Sequence, residues 1–318
     1  MSASDGDESR DGVPLTNLDQ PLFEGAEATK RDLVDYLDGV RDRIIPVLED
    51  RPLSVIRVHR GAEAFMQKNL PKYAPPWVPT VQLWAETSKR EVSYALCNDR
   101  RTLLWFANQR AVEYHPTLAR IDRPDRMTHL VLDLDPPPNA VGFALAVRAA
   151  RLVRGALASA GLEGAVKTSG AKGVHVFVPI DDQSSPEDAA AATRAIAARA
   201  ETLDREIATT AFMKEDRGGK VFVDSTRVGG ATVAAAYSPR ARPGVPVSFP
   251  VGWDMLDDIV PADFTVHTAL RHLGDDDPWA GRMPGPQHLS PELIAEGHAI
   301  PVARVQAMHE GKRRARAR

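Results

Sequence analysis

The chain has 318 residues, a formal net charge of −3, 43% hydrophobic residues and a single cysteine. This length supports a sizeable core in one large domain or two subdomains, and no apolar run approaches the length of a membrane span. The lone Cys97 excludes an intramolecular disulfide and a cysteine-based zinc site, while the acidic balance argues against a broadly basic nucleic-acid coat. We therefore expect a compact cytoplasmic protein.

Helical and strand patterns alternate along the chain. Residues 1–12 are rich in Ser, Asp and Gly and are expected to be disordered. Helices are predicted at residues 29–49, 101–112, 139–160 and 185–209. Strands are predicted at residues 53–59, 79–85, 93–97, 129–135, 165–178 (a pair), 220–224 and 231–236. This order is typical of an α+β sandwich with a largely antiparallel central sheet and flanking helices.

The strand His-Leu-Val-Leu-Asp-Leu-Asp at 129–135 ends at three prolines. Residues two apart on a strand project to the same face, so Asp133 and Asp135 should lie side by side. Neighbouring carboxylates repel each other unless a cation lies between them, and Mg²⁺ or Mn²⁺ prefers oxygen ligands of this kind. Taken alone, the short motif is more often an acidic pair that caps a neighbouring helix than a metal site.

A second constellation is Lys-Thr-Ser-Gly-Ala-Lys-Gly-Val-His at 167–175. Its glycines allow a tight turn whose N–H groups can face an anion. Ser169 offers a hydroxyl, Lys167 and Lys172 offer positive charge, and His175 begins the next strand. These groups suit a triphosphate, although a polar hairpin turn with an exposed histidine is the structural alternative.

A third carboxylate, Asp224, ends the short apolar run at 220–224. Three carboxylates on strands could hold two metal ions, about 3.5–4 Å apart, as in enzymes that catalyse in-line displacement at phosphorus. Further along, Arg240 and Arg242 would share a face in an extended segment, where paired guanidinium groups suit phosphate oxygens. Solvated surface arginines are the alternative interpretation.

Taken together, these motifs resemble the polymerase domain of bacterial DNA ligase D, in the archaeo-eukaryotic primase superfamily. The resemblance spans most of residues 13–282 and keeps several motifs in the same order, so it is far more specific than any one of them. It implies a primase-polymerase fold with an RRM-like catalytic sheet, and it leaves residues 283–318 as a loosely attached extension with a basic tail. The shared segments are residues 15–19, 29–33, 65–69, 105–108, 112–116, 129–135, 169–175, 224, 237–243 and 277–281.

The resemblance assigns roles residue by residue. It implies that Asp133, Asp135 and Asp224 bind two divalent ions, Mn²⁺ or Mg²⁺, and carry catalysis. The residues that it implies for the incoming nucleotide are His115, Ser169, Lys172, His175, Arg240, Arg242, Lys68 and Phe65. It also implies that Lys30 and Asn17 contribute to a site for the 5′-phosphate of a DNA break.

Two positions depart from the family pattern. Family members commonly have a lysine where this chain has Gln20, so half of the charge of the 5′-phosphate site is absent. The segment after Asp224, residues 225–228, reads Ser-Thr-Arg-Val, whereas the family often has asparagine at its end. Neither change removes an acidic ligand, but both weaken the case for end joining as the particular role.

The expected activity is therefore template-directed nucleotidyl transfer to primer 3′ ends or gaps in DNA, with NTPs or dNTPs as substrates and ribonucleotides accepted. DNA should meet a localised basic track, and any ligase or end-binding protein is expected to be a separate polypeptide. Three alternatives remain open: a primase that starts chains de novo, a catalytically silent DNA-end scaffold, and a phosphatase of the haloacid dehalogenase type.

Overall fold

The computed structural model describes residues 8–59, 61–85, 89–139, 141–228, 232–275 and 277–302. Within these residues the chain forms six α-helices and thirteen strands. The helices are α1 (Lys30–Gly39), α2 (Arg41–Leu48), α3 (Arg100–Asn108), α4 (Gly142–Ser159), α5 (Pro186–Leu203) and α6 (Pro291–Ala299). The strands are β1 (Glu8–Arg10), β2 (Val13–Leu15), β3 (Leu53–His59), β4 (Ala62–Gln67), β5 (Thr80–Ala85), β6 (Arg90–Ala95), β7 (Ala111–Pro116), β8 (His129–Asp135), β9 (Ala165–Thr168), β10 (Val174–Pro179), β11 (Ala208–Thr209), β12 (Val221–Asp224) and β13 (Pro250–Val251).

The larger sheet has the strand order β11-β12-β8-β10-β9-β13. Only β11 and β12 are parallel, and all other neighbours are antiparallel. On β8 the leucines at 130, 132 and 134 alternate with the acids and are fully buried. An apolar sheet face of this kind requires a covering layer, and α4 and α5 pack against this sheet. The expected α+β fold with a largely antiparallel sheet is confirmed.

The second sheet is built around β3. Strands β4 and β7 both pair with β3, and β4 is an edge strand. Strand β6 pairs with β3 at Leu53, and β5 pairs with β6. A main-chain segment ties this sheet to the larger one: the Tyr114 N–H on β7 donates to Ser238 Oγ over 2.9 Å, and the Ala235 N–H donates to the Tyr114 carbonyl. The two sheets therefore meet along β7, which positions β7 side chains against the larger sheet.

Several predicted elements differ from those observed. The helix expected at 29–49 is interrupted at Val40, which ends α1 and begins α2. The helix expected at 101–112 ends at Asn108, because Arg110 adopts a left-handed backbone with φ of 58° and the buried strand β7 follows. The helix expected to reach 209 ends at Leu203. Strand β4 was not predicted, and described residues 232–236, expected to be a strand, have irregular backbone.

Both ends of the described chain are more ordered than the sequence suggests. Residues 8–12, expected to be disordered, belong to the β1–β2 hairpin, where Arg10 forms a 2.6 Å ion pair with Asp35. Residues 1–7 lie outside the described residues. At the other end α6 packs on α5: a Cβ at Gly297 would lie 1.8 Å from the Ala191 carbonyl, and Arg199 pairs with Glu296 over 2.5 Å. The extension is therefore packed rather than loose through α6, and the basic tail at 312–318 lies outside the described residues.

No helix in the described ranges has the length and apolar character needed to cross a bilayer.

Candidate active site

Strand register brings the predicted acids together. Asp224 on β12 pairs directly with Asp133 on β8, and Asp133 pairs with His175 on β10. These three residues form one row across adjacent strands, and Asp135 lies two residues further along β8 on the same face. Each of these strands is nearly fully buried, so the sheet itself fixes the relative positions of the side chains.

Polar contacts already engage the oxygens of this acidic row. His175 Nε2 lies 3.2 Å from Asp133 Oδ1, and Arg227 Nη2 donates to Asp133 Oδ2 over 2.8 Å and lies 3.2 Å from Asp224 Oδ2. The Thr226 N–H and hydroxyl both donate to Asp224 Oδ1, over 2.8 and 2.6 Å. The acids are therefore held in place by neighbouring donors.

The same contacts separate the pKa values of the two β8 carboxyls. Burial alone would raise the pKa of Asp133, but His175 and Arg227 hold it well below its ordinary range. Burial and the neighbouring Asp133 charge raise the pKa of Asp135 to about 6. Two adjacent carboxyls with pKa values displaced in opposite directions are typical of a functional site that is built to receive positive charge.

The donor chemistry of this row fits a hard divalent ion, since it consists of carboxylate oxygens on one face of a rigid sheet. Across the described residues, however, no group of three His, Cys, Asp or Glu side chains is arranged to enclose a metal ion. In the acidic row, the Arg227 guanidinium bridges Asp133 and Asp224. The acids are aligned for an ion, but they are paired with an arginine.

The loop between β9 and β10 is tightly constrained. A Cβ at Gly173 would lie 2.0 Å from the Leu134 carbonyl, and Gly170 has φ of 66° with the Arg240 side chain 2.6 Å from the position of its missing Cβ. The N–H groups of residues 171 and 173 donate to Ser169 Oγ over 3.2 and 3.1 Å. These two amides stabilise the turn instead of facing an anion as expected, so Ser169 holds the loop in shape.

A buried lysine lies behind His175. Lys167 on β9 is fully buried and pairs in register with His175, and its Nζ lies 2.8 Å from His175 Nδ1. Lys167 Nζ also donates to the Ala234 carbonyl over 2.9 Å and to Ser248 Oγ. With Nδ1 accepting from lysine, Nε2 carries the imidazole proton and faces Asp133 Oδ1 at 3.2 Å. Burial and the Lys167 charge lower the pKa of His175 to about 4, so the ring is neutral at pH 7.

Strand β7 supplies a second ion-paired cluster. Glu113 Oε2 lies 2.8 Å from His115 Nε2 and 3.0 Å from Arg240 Nε, and Glu113 Oε1 accepts from the Ala241 N–H over 2.9 Å. Although burial opposes ionisation, His115 and Arg240 lower the pKa of Glu113 to about 2. Arg240 Nη1 also donates to the Ser169 carbonyl over 2.5 Å. Glu113 therefore fixes the directions of both His115 and Arg240.

These elements line a cavity of about 310 Å³, which we call the nucleotide cavity after the role that the sequence predicts for its residues. Acids lie along one wall, and basic side chains lie along the loop and the 240–242 segment. The predicted residues that line it are His115, Asp133, Asp135, Ser169, Lys172, His175, Arg240 and Arg242. Asp224 is not among the described residues that line the cavity; it lies beside it on β12, paired with Asp133.

Two predicted nucleotide-binding residues lie elsewhere. Phe65 and Lys68 belong to the edge strand β4 and its exposed end, and neither is among the described residues that line the nucleotide cavity. The Phe65 ring is 39% exposed and stacks on His59, with 5.3 Å between ring centroids and 17° between planes. An exposed ring supported from behind is suited to stack on a base.

The predicted phosphate residues Lys30 and Asn17 lie in the N-terminal region. Lys30 is only 3% exposed, and its Nζ donates to the Thr16 carbonyl over 2.5 Å. Burial and repulsion from Arg110 lower its pKa to about 8. Asn17 adopts φ of 54° and accepts from Gln20 Nε2 over 3.1 Å.

Sequence reasoning missed three residues that organise the site, namely Glu113, Lys167 as the partner of His175, and Arg227 between the acids. Alternation on β7 gives a signal for Glu113, since it lies two residues from His115. Register gives the signal for Lys167, but register is known only once β9 and β10 are paired. The turn after β12 that positions Arg227 leaves no clear signal in the sequence.

The chain matches known proteins in sequence and in fold. Residues 29–279 match the family model for the LigD primase-polymerase domain. The chain is 33% identical over 266 residues to the bifunctional non-homologous end joining protein LigD of Bacillus subtilis strain 168, covering 82% of this chain and 42% of that protein. It is 34% identical over 283 residues to the multifunctional non-homologous end joining DNA repair protein LigD of Mycobacterium tuberculosis, covering 86% of this chain and 36% of that protein.

The chain thus spans less than half the length of these curated relatives. Among solved structures, the polymerase domain of Mycobacterium tuberculosis ligase D in complex with DNA aligns with a TM-score of 0.77 at 32% identity, covering 86% of this chain and 99% of that chain. The family match covers most of the residues that form both sheets and the nucleotide cavity. The chain therefore belongs to the LigD primase-polymerase domain family.

Proposed function

We propose that this protein is a template-directed nucleotidyltransferase that adds nucleotides to primer 3′ ends or gaps in DNA. The observation that carries the proposal is the nucleotide cavity, where the acidic row of Asp133, Asp135 and Asp224 lies opposite a basic loop. A triphosphate needs positive charge along its oxygens, and the reacting phosphorus needs carboxylate-held cations. The cavity offers both within one small volume.

Within this proposal each side chain has a distinct task. Lys172 and Arg242 are exposed at the cavity rim and bind the phosphate oxygens. Arg240, oriented by Glu113, donates from the wall. His175 offers its Nε2 proton on the acidic row, since its Nδ1 accepts from Lys167. Fixed donors of this kind bind the nucleotide without reorganisation at the moment of reaction.

Asp133, Asp135 and Asp224 would hold the two divalent ions that the family implies, Mn²⁺ in preference to Mg²⁺. When bound, such ions lower the pKa of an attacking hydroxyl and neutralise a leaving pyrophosphate. The acids themselves keep a fixed spacing because they lie on paired strands.

DNA is the proposed partner, and ribonucleotides are proposed as accepted substrates alongside deoxyribonucleotides. The solved relative is a polymerase domain in complex with DNA, and the curated relatives are described as non-homologous end joining proteins. We propose that the exposed ring of Phe65, together with Lys68, contacts the template strand. We propose end joining as the biological setting.

We also propose a binding site for a DNA 5′-phosphate at the N-terminal cluster, defined as Asn17, Gln20, Lys30 and Arg110. Arg110 Nη2 donates to Gln20 Oε1 over 3.0 Å. A guanidinium therefore lies next to position 20, where family members commonly have a second lysine. The pKa of Lys30, about 8, keeps most of its charge at pH 7. The cluster therefore retains positive charge despite Gln20.

The test is primer extension on a duplex with a one-nucleotide gap, supplied with each of the four NTPs or dNTPs in turn and with Mn²⁺ or Mg²⁺. We expect addition of the nucleotide complementary to the template base, with Mn²⁺ supporting it best and with NTPs accepted as well as dNTPs. A template with no primer separates a de novo primase, which would release dinucleotides. Binding without any addition would support the scaffold alternative, and release of inorganic phosphate alone would support a phosphatase.

A further inference from the structure

Arg227 occupies an unusual position in the acidic row. It lies three residues after Asp224, at the turn that follows β12, and its Nη2 is 2.8 Å from Asp133 Oδ2 and 3.2 Å from Asp224 Oδ2. Its Nε also donates to Asp133 Oδ2 over 3.1 Å. One guanidinium thus bridges two carboxylates that belong to adjacent strands.

The chain holds this bridge in place from both sides. The pairing of Asp224 with Asp133 sets the distance that the guanidinium spans. Thr226 engages the other oxygen of Asp224 through its N–H and hydroxyl, so Asp224 Oδ2 is turned toward Arg227. The Arg227 side chain is 30% exposed and lines the nucleotide cavity, so it can leave the acids without crossing the core.

Charge explains why an arginine is stable there. Three carboxylates on one buried sheet face repel each other, and a guanidinium remains protonated at every relevant pH. Its planar donors satisfy two carboxylates at once, which a solvated monovalent ion does less well. The arginine therefore neutralises the acidic row from within the chain.

An ion that bridges Asp133 and Asp224 across the paired strands competes for the Oδ2 atoms that Arg227 engages. If it takes these two oxygens as ligands at about 2.0–2.6 Å, the guanidinium must move away, because its Nη2 lies only 2.8 and 3.2 Å from them and the two cations repel each other. Arginine binding and ion binding at these two oxygens are thus mutually exclusive.

We propose that Arg227 is an internal counterion of the acidic row, which must release Asp133 and Asp224 before a divalent ion binds and which thereby sets the metal affinity of the enzyme. This inference rests on the proposed metal-dependent function. It assigns the affinity-setting role to a residue in the segment where the chain departs from the family pattern.

The experiment measures Mn²⁺ binding directly, in the absence of nucleotide and DNA, from the electron paramagnetic resonance signal of free Mn²⁺. We compare the wild-type protein with Arg227→Gln, which removes the bridge. We expect Arg227→Gln to bind Mn²⁺ about tenfold or more tightly, since a charge-assisted bond no longer competes for the carboxylates.

The matched control is Arg217→Gln. The Arg217 charge acts on Asp135, but its guanidinium stacks on Phe222 at 3.9 Å and donates to the main-chain oxygens of residues 211 and 212. The Arg217→Gln variant loses the same charge but keeps the Arg227 bridge between Asp133 and Asp224. Its Mn²⁺ affinity should therefore differ from that of the wild type by less than about threefold. Equal tightening in both variants would overturn the bridge and indicate a general charge effect.

Thermal unfolding supplies a second readout. In EDTA the Arg227→Gln protein should melt at a lower temperature than wild type, because Asp133 and Asp224 lose their counterion. Saturating Mn²⁺ should raise its melting temperature by more than it raises that of the wild type. If Arg227→Gln does not fold, Arg227→Lys replaces it, since an ammonium keeps the charge but cannot bridge with a planar fork, and an intermediate gain in affinity is expected.

Asp133→Asn distinguishes a failure of the proposed metal site from a failure of the proposed role of Arg227. If it abolishes Mn²⁺ binding while wild type and Arg227→Gln bind equally, the metal site stands and the role of Arg227 is wrong. If neither wild type nor Arg227→Gln binds Mn²⁺ although both are folded, the metal-dependent function fails and the inference fails with it.

Discussion

The nucleotide cavity and the N-terminal cluster were both expected from the same resemblance, but the structure builds them in different ways. In the cavity, strand register on β8, β10 and β12 sets Asp133, His175 and Asp224 in one row. In the N-terminal cluster the residues come from loops and a helix start, and Lys30 is bound to a main-chain carbonyl. A site made by sheet register tolerates little change, whereas a loop-built site can exchange one basic residue for another.

The largest effect is expected from a substitution that disturbs the strand register around the nucleotide cavity. Gly173→Ala would place a methyl group 2.0 Å from the Leu134 carbonyl, so the loop or β8 must shift. We expect destabilisation of about 1–3 kcal/mol and a loss of nucleotide addition of about a hundredfold, because the acids and the loop no longer align. Urea unfolding and primer extension measure both effects.

Gly285→Ala is the matched control, since nothing lies within 4 Å of an added Cβ there. It should leave both measurements nearly unchanged. A Gly173→Ala enzyme with normal activity would show that the loop is not packed on β8 as described.

The buried ion pairs behind the cavity can be separated by pH. The pKa of Glu113 is about 2 in the folded protein and 4.5 in a model peptide, so its ionised form stabilises the fold above pH 4.5 and this contribution is lost as pH falls toward 2. We expect Glu113→Gln to lower the free energy of unfolding by about 3 kcal/mol at pH 7 and by much less near pH 2.5.

Chemical denaturation at several pH values checks this, with the exposed Glu63→Gln as the control. A Glu113→Gln penalty that stays constant from pH 7 to pH 2.5 would contradict the ion-pair explanation.

Substitutions of the basic side chains that line the nucleotide cavity should weaken nucleotide binding. Arg240→Ala removes a donor that Glu113 orients, and a charge-assisted bond contributes about 1.5–3 kcal/mol, so the KM for nucleotide should rise about 10–100-fold. His175→Ala should also raise KM, and Lys172→Ala should do so to a smaller extent because that side chain is exposed. Steady-state kinetics with NTP as the varied substrate tests all three. Unchanged KM values in all of them would mean that the loop serves another purpose.

The smallest effect is expected at the N-terminal cluster. A glutamine at position 20 supplies hydrogen bonds but no charge, so we expect weak discrimination between gapped DNA with and without a 5′-phosphate, with Lys30 supplying the preference that remains. Gln20→Lys should raise the preference a few-fold and steepen the slope of log affinity against log salt by about one, because one more counterion is released. Fluorescence anisotropy at several salt concentrations measures this.

Arg110→Gln tests whether the neighbouring guanidinium already provides the missing charge. A wild-type protein that binds the phosphorylated gap many-fold more tightly, and that loses this preference in Arg110→Gln, would show that Arg110 has taken over the role of the absent lysine.

The sequence correctly predicted those elements in which the hydrophobic pattern is typical of only one kind of secondary structure. Strands β3 and β8 match their predicted bounds, since apolar runs with clear ends allow one interpretation. The boundary between α3 and β7 was misplaced because the apolar residues continue from Trp105 into the strand, and only the left-handed Arg110 marks the change. Residues 234–236 are buried without being a strand, so their apolar character was misleading.

The candidate site was predicted as a set of residues but not as a network. Resemblance selected the acids and the basic loop, and the structure brings most of them to one cavity. The contacts that Lys167, Glu113 and Arg227 make depend on strand pairing and turn geometry across distant parts of the chain. Such contacts follow from tertiary register, which a single sequence does not encode in a local pattern.

The central claim is that the acidic row performs template-directed nucleotidyl transfer, and single-nucleotide addition at a gap tests it most directly. Asp133→Ala, Asp135→Ala and Asp224→Ala should each lower the rate by about a thousandfold or more while circular dichroism and melting show a folded protein, because each removes an oxygen ligand for the catalytic ions. Asp216→Ala, an exposed acid before β12, should retain the wild-type rate. Wild-type rates in any of the three row variants would contradict the account.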